Sequence, residues 1–178
     1  VSKLFCYIED MPRETFSLGI PWTWDRYDEY AYALGKDGLG VHAAPLVGHS
    51  VLRLYVMGLD AWERPATDAE RAAIAGLLDE SVAMGAFGFS TSFFDADAQS
   101  RPVPSRLADA AELEALVEVL GKHGRGLIEF IPDLQANGGE QQLIDLVELC
   151  GRYGVVSTTN TLVASDSRPH YAAHLMEL

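Results

Sequence analysis

Thr67-Asp68-Ala69-Glu70-Arg71-Ala72-Ala73-Ile74-Ala75-Gly76-Leu77-Leu78-Asp79-Glu80-Ser81-Val82-Ala83-Met84-Gly85-Ala86-Phe87-Gly88-Phe89-Ser90-Thr91-Ser92 is the stretch on which the fold turns. Its first part has helical period. Thr67 and Glu70 form a capping box over the first turn, Ile74, Leu77, Leu78 and Val82 line one apolar face, and Gly85 is placed to stop the helix. Its second part, 86–92, is a short apolar run of strand length. A helix passing through one glycine into a buried strand is half of a β/α repeat.

The same unit recurs outward in both directions. Apolar, β-prone runs fall at 41–47, 86–92, 126–132 and 155–163. Helical patterns follow at 109–122, with Leu113, Leu116, Val117 and Leu120 on one face, and at 140–152, with Leu143, Ile144, Val147 and Leu149. A last helix is expected after Asp166-Ser167. Strict alternation of strand and helix makes a parallel sheet. The expected fold is therefore α/β: four consecutive β/α units of a partial (β/α)8 barrel, occupying 40–178. Residues 1–39 form a helical, aromatic lead-in containing Gly19-Ile20-Pro21-Trp22-Thr23-Trp24 and a tyrosine-dense helix at 25–34. A doubly wound sheet is the alternative, but no G-x-G-x-x-G follows any of the runs.

Composition narrows the function. Thirteen basic against 26 acidic residues give a net charge of −13, which repels a phosphate backbone and argues against nucleic acid as a partner. The acids, among them Asp68, Glu70, Asp79, Glu80, Glu112, Glu114 and Glu118, read as solvated helix faces. No run approaches the roughly 20 apolar residues of a membrane span. The first residues show no signal-peptide pattern, so a cytoplasmic location is expected. Cys6 and Cys150 lie far apart and read as reduced, partly buried thiols.

In β/α barrels the chemistry sits at the C-terminal ends of the strands. Those positions are Gly48-His49-Ser50, then Ser90-Thr91-Ser92, then Glu129 and Asp133, then Thr158-Thr159-Asn160. His49 is a candidate ligand, acid/base or substrate donor, or else a residue that holds its turn together. His42 reads as a core residue inside its strand and His123 as a partner of a helix C-terminus. His170 and His174 stand at i, i+4 without the glutamate of H-E-x-x-H and read as surface residues. Gly88-Phe89-Ser90-Thr91-Ser92 has serine where a nucleophile elbow needs its last glycine, so pocket-lining hydroxyls are the better reading. The long polar loop at 95–109, centred on Arg101-Pro102-Val103-Pro104-Ser105-Arg106, is of the length that usually carries function or acts as a lid.

Several of these blocks resemble a known family. Ala44-Pro45-Leu46-Val47-Gly48-His49-Ser50-Val51-Leu52-Arg53, with Tyr55-Val56-Met57-Gly58, is similar to a signature segment of the N-acyl-D-amino-acid deacylase group of the amidohydrolase superfamily. So is Gly85-Ala86-Phe87-Gly88-Phe89-Ser90-Thr91-Ser92, while the Gly19–Trp24 turn and Arg101-Pro102-Val103-Pro104-Ser105 resemble one branch of the group. The resemblance implies the central fragment of a metal-dependent barrel hydrolase with a small accessory β domain. Such an enzyme would use zinc to activate water against the amide of an N-acylated D-amino acid. It implies an H-x-H pair and a metal-binding cysteine before Val1, and a catalytic aspartate after Leu178. Cys6 falls past the position of that cysteine. The family's strand-end metal histidines would fall near 129–133 and 158–160, where no histidine stands.

His49, Ser50, Ser90 and Ser92 match recognisable motif positions and are expected to line the substrate site. No catalytic residue and no metal ligand is assigned to this chain, and the chain alone is not expected to hold zinc. The expected partners are the N-acylated substrate and either the remainder of the barrel or a second copy. The rival expectation is a non-catalytic barrel relative that has lost its ligands and serves binding or assembly.

Overall fold

The computed structural model describes residues 12–134 and 136–159. Among the described residues, α1 (Arg13–Gly19) and α2 (Tyr27–Gly35) precede the first strand, β1 (Leu46–Gly48). Next come α3 (His49–Met57), a 3-10 turn (Gly58–Trp62), α4 (Asp68–Ala83) and β2 (Gly88–Ser92). A second 3-10 turn (Pro104–Leu107) leads to α5 (Ala110–His123), β3 (Leu127–Ile131), α6 (Gly139–Tyr153) and β4 (Val156–Thr159). The strands form one sheet in the order β1-β2-β3-β4, and every pair is parallel.

Local chemistry explains the element boundaries. At the start of α4, Thr67 accepts from the Glu70 backbone N–H at 3.4 Å, and Glu70 accepts from the Thr67 N–H at 2.9 Å. Asp109 caps α5 by accepting from the Glu112 N–H at 2.8 Å. Gly124 ends that helix in the left-handed conformation, φ 61°. Gly88 opens β2 at φ 149°, and a Cβ there would lie 1.8 Å from the Leu127 carbonyl oxygen. Only glycine lets β2 and β3 approach at that point.

Alternation along the strands divides the sheet into two faces. Phe89, Ile128 and Phe130 point to one side and join a core with Ile74, Leu78 and Val82 of α4, Leu116, Val117 and Leu120 of α5, and Leu143, Leu146 and Leu149 of α6. Among the described residues, no helix covers the other side. Register partners place Ser90, Glu129 and Thr158 in a single row across β2, β3 and β4 on that open face.

Three expectations need correction. The first strand is confined to Leu46–Gly48, and 41–44 is exposed chain outside the ladder. Pro45 has no N–H to give to a ladder, so pairing begins behind it, although its carbonyl accepts from the Phe87 N–H at 2.9 Å. His42 is therefore exposed and is not a core residue. On α6 the buried stripe runs through Leu143, Leu146, Leu149 and Cys150, whereas Val147 is 45% exposed.

In the lead-in, Trp24 packs edge-on against Tyr30 and Tyr27 against Tyr30, while Tyr32 is exposed. Cys150 is a buried free thiol. Cys6, Asn160, the rest of the fourth run, the last helix, His170 and His174 lie outside the described residues.

Candidate functional site

The four strands end on one side of the sheet, and what stands there is built from β2, β3 and the loop at 95–109. Ser92, the last residue of β2, accepts from the Phe94 and Asp95 N–H groups at 3.2 and 3.0 Å through its hydroxyl. Its carbonyl accepts from Ser105 Oγ at 2.8 Å. Ser50, in the first turn of α3, donates to Ser105 Oγ at 3.1 Å and accepts from the Ser105 N–H at 3.1 Å. These three serines pin the second 3-10 turn over the ends of β1 and β2.

The loop is anchored further along. Asp97 accepts from the Gln99 and Arg101 N–H groups and from Arg101 Nε, all within 3.0 Å. The Arg101 guanidinium lies 4.2 Å from the centre of the Trp62 ring. Arg106 donates to the Phe94 carbonyl at 2.6 Å and meets Asp133 Oδ2 at 3.4 Å, joining the loop after β2 to the loop after β3. The segment is thus an ordered rim above the strand ends.

His49 takes a different place. As the first residue of α3 it is fully buried on the helix side of the sheet. Its Nε2 lies 2.7 Å from Glu112 Oε1 and its Nδ1 2.9 Å from Thr91 Oγ1. Glu112 also accepts from Arg53 Nη1 at 2.5 Å, and Arg53 Nη2 donates to the Arg64 carbonyl at 2.9 Å. A carboxylate next to Nε2 fixes the proton there and leaves Nδ1 to accept from the threonine.

Burial holds the His49 imidazole below its ordinary pKa, and the Glu112 hydrogen bond offsets part of that. Burial pushes Glu112 upward, but its bonds to His49 and Arg53 outweigh it and keep the carboxyl below its ordinary value. Threonine, histidine and glutamate in line have the order of a nucleophilic triad. However, Thr91 is 6% exposed, His49 is 0% exposed, and Arg53 neutralises the acid, so the three are sealed from solvent among the described residues. Its effect is to tie α3, β2 and α5 together.

Of the four expected substrate-lining residues, Ser50 and Ser92 meet at the rim through Ser105. Ser90 stands on the open face of β2, half-buried, and forms no side-chain hydrogen bond among the described residues. His49 lies across the sheet from it. Beside Ser90, the Glu129 carboxylate is half-buried and meets no ion-pair partner among the described residues. His123 ends α5 and bonds Asp79 at 2.8 Å.

The sequence reading missed the role of Glu112, which it placed on a solvated face. At one and two turns before Leu116 and Leu120, Glu112 shares their buried stripe, and that spacing was the available signal. A cleft of about 200 Å³ lies on the outer side, between Trp24, Tyr27 and Tyr30 of the lead-in and Val51, Tyr55 and Leu77 of α3 and α4. None of Ser50, Ser90 and Ser92 lines it.

Zinc takes three or four ligands. Among the described residues no three His, Cys, Asp or Glu side chains converge. These residues do not by themselves fit a metal site, and no step of a reaction is assigned through a metal on them.

No family model matches the chain. It is 38% identical over 146 residues to an uncharacterized protein of Mycobacterium tuberculosis, covering 75% of this chain and 23% of that protein. It is 42% identical over 94 residues to N-acyl-D-aspartate deacylase of Alcaligenes xylosoxydans xylosoxydans, covering 52% of this chain and 18% of that enzyme. Among solved structures, D-aminoacylase superposes with a TM-score of 0.70 at 27% identity over 85% of this chain and 31% of that one. N-acyl-D-glutamate deacylase of Bordetella bronchiseptica, solved with zinc and a phosphonate mimic of the tetrahedral intermediate, gives 0.63 at 26% identity over 85% and 32%. The chain spans about a quarter of the length of the first of these relatives. Its homologues and structural neighbours include D-aminoacylase and N-acyl-D-amino-acid deacylase amidohydrolases, and it corresponds to a fragment of them.

Proposed function

We propose that this chain is the substrate-facing middle of a metal-dependent amidohydrolase that cleaves the amide of an N-acylated D-amino acid. The observation that carries the reading is the polar row of Ser90, Glu129 and Thr158 on the uncovered face of a parallel sheet. It stands below a rim built from Ser50, Ser92 and Ser105. A barrel interior is ordinarily filled by branched apolar side chains, so a carboxylate between two hydroxyls there marks a place for a ligand. The named relatives act on N-acyl-D-aspartate and N-acyl-D-glutamate, and that substrate class suits a rim whose donors are hydroxyls and an arginine.

In this reading 40–178 supplies strands and rim, 1–39 is the lead-in, and zinc is the expected metal. Its ligands come in the main from the rest of the barrel. Ser90 and Ser92 line the substrate, Ser50 holds the rim in place, and His49 sets the position of β2 from behind.

The test is hydrolysis of a panel of N-acetyl-D-amino acids by the full-length protein, before and after removal of metal. Release of free amino acid, lost with a chelator and restored by zinc, is the expected result. A second reading is favoured by one observation: among the described residues β3 and β4 present no histidine at their ends, and no ligand cluster forms. On that reading the barrel binds without catalysing, and the full-length protein holds no stoichiometric metal and releases nothing.

A further inference from the structure

We propose that the outer cleft between the lead-in and α3–α4 binds a small organic cation, an ammonium group on an apolar body; the proposal does not depend on the amidohydrolase reading above. None of Ser50, Ser92 and Ser105 of the strand-end rim lines this cleft. Its volume of about 200 Å³ lies below the roughly 300–1,000 Å³ of pockets for drug-sized ligands, so its occupant is small.

The walls are apolar and aromatic. Val47 of β1, Val51 and Leu52 of α3 and Leu77 of α4 form one side. Ser81, the buried hydroxyl among them, is spent on the Leu77 carbonyl at 2.7 Å. The lead-in supplies the rings. Trp24 stands 5.5 Å from Tyr30 at an interplanar angle of 61°, and Tyr27 stands 5.9 Å from Tyr30 at 59°. Rings set so steeply to one another present their faces in more than one direction. A ring face carries partial negative charge and attracts a cation placed over it.

The charged groups of the lining have the matching sign. Three carboxylates, Asp25, Asp28 and Glu80, stand against one guanidinium, Arg26. Arg26 meets Glu80 at 2.5 Å and lies 3.9 Å from Asp28, so it is already taken. Three against one leaves the lining two negative charges in excess, and this count uses only residues at the cleft. A helix dipole accounts for Asp28 in the first turn of α2. It does not account for Glu80 in the last turn of α4, where a carboxylate is disfavoured. An anionic ligand would meet that excess, whereas an ammonium group gains from both the rings and the carboxylates.

The experiment titrates the full-length protein with choline and with 3,3-dimethylbutan-1-ol, which has carbon in place of the charged nitrogen, and follows each by ligand-detected NMR. Wild type should prefer choline by at least about 5-fold, in line with a cation held over aromatic faces. Trp24→Leu keeps apolar bulk and loses the ring, so it should bring the ratio to about one while leaving the affinity for the alcohol within a few-fold. Glu80→Gln should also lower the ratio, because it takes a carboxylate from the lining and releases Arg26 into it. Glu148→Gln, on α6 and absent from the lining, should leave the ratio unchanged. A wild type that binds neither probe, or binds both equally, overturns the proposal, as does a Trp24→Leu variant that keeps the preference. Should that variant bind neither probe, an unchanged ratio in Glu80→Gln overturns it instead. An equal drop in Glu148→Gln would make the preference one of overall charge and would overturn the cleft as its source.

Discussion

Replacing Glu112 by alanine should be among the most damaging single changes in this chain, because Glu112 is buried and joins two other buried polar side chains. Its carboxylate is 1% exposed and receives His49 at 2.7 Å and Arg53 at 2.5 Å. Alanine would leave the Arg53 guanidinium, itself 0% exposed, without a counter-charge, and Arg53 Nε already has no partner among the described residues. Breaking one side of a buried ion pair costs about 3–5 kcal/mol. The lost His49 hydrogen bond belongs to the same network, so its share is coupled to that figure and is not added to it. With a urea dependence of about 2 kcal/mol per M for the cooperative unit that holds α3 and α5, the midpoint of its transition should fall by roughly 1.5–2.5 M. The assay is urea unfolding of the full-length protein followed by circular dichroism. The double variant Glu112→Leu/Arg53→Met removes both charges and should recover most of the loss. A single variant that loses less than about 1 kcal/mol, or a double variant no better than the single, would refute the claim that a buried charge network locks α3 to α5.

The same network sets a pH dependence. Because burial lowers the His49 pKa in the folded state, the unfolded chain binds more protons below its ordinary value of 6.5, and stability should decline as pH falls through that point. Melting temperatures between pH 8 and 5 should show this, and a His49→Gln variant should flatten that part of the curve. Glu112, held low mainly against burial by His49 and Arg53, adds a second loss below its ordinary 4.5. Gly88→Ala should cost more than about 3 kcal/mol and reduce soluble yield, because its Cβ meets the Leu127 carbonyl at 1.8 Å. Gly76→Ala, on α4 with nothing within 4 Å, should instead stabilise by about 0.5–1 kcal/mol. Expressed alone, the chain should form oligomers, since β1 and β4 are sheet edges and Val156 is 64% exposed; a sharp monomer peak in light scattering would refute this.

Elements that encode themselves locally were legible in the sequence. The Thr67/Glu70 box, the Asp109 cap and Gly124 fix α4 and α5 to within a residue, because each is a bond between near neighbours. β2 and β3 were equally readable as apolar runs between glycines. The helix His49–Met57 was not, since it starts directly from β1 with no side-chain cap at Gly48. The site was harder still. His49, Thr91 and Glu112 meet across 42 and 63 residues of sequence, and no spacing rule brings them together. Ser90 and Glu129 became neighbours only through the parallel register of β2 and β3. Hydroxyls, a carboxylate and an arginine at strand ends were visible as types, while their division between the helix side and the open face waited for the fold.

Hydrolysis of an N-acylated D-amino acid is checked by offering the zinc-loaded full-length protein a racemic N-acetyl amino acid and following both enantiomers by chiral chromatography. Half of the racemate should be consumed, the free product should be the D-amino acid, and the L-substrate should be untouched. Persistence of both enantiomers with zinc bound, or their equal consumption, would contradict it.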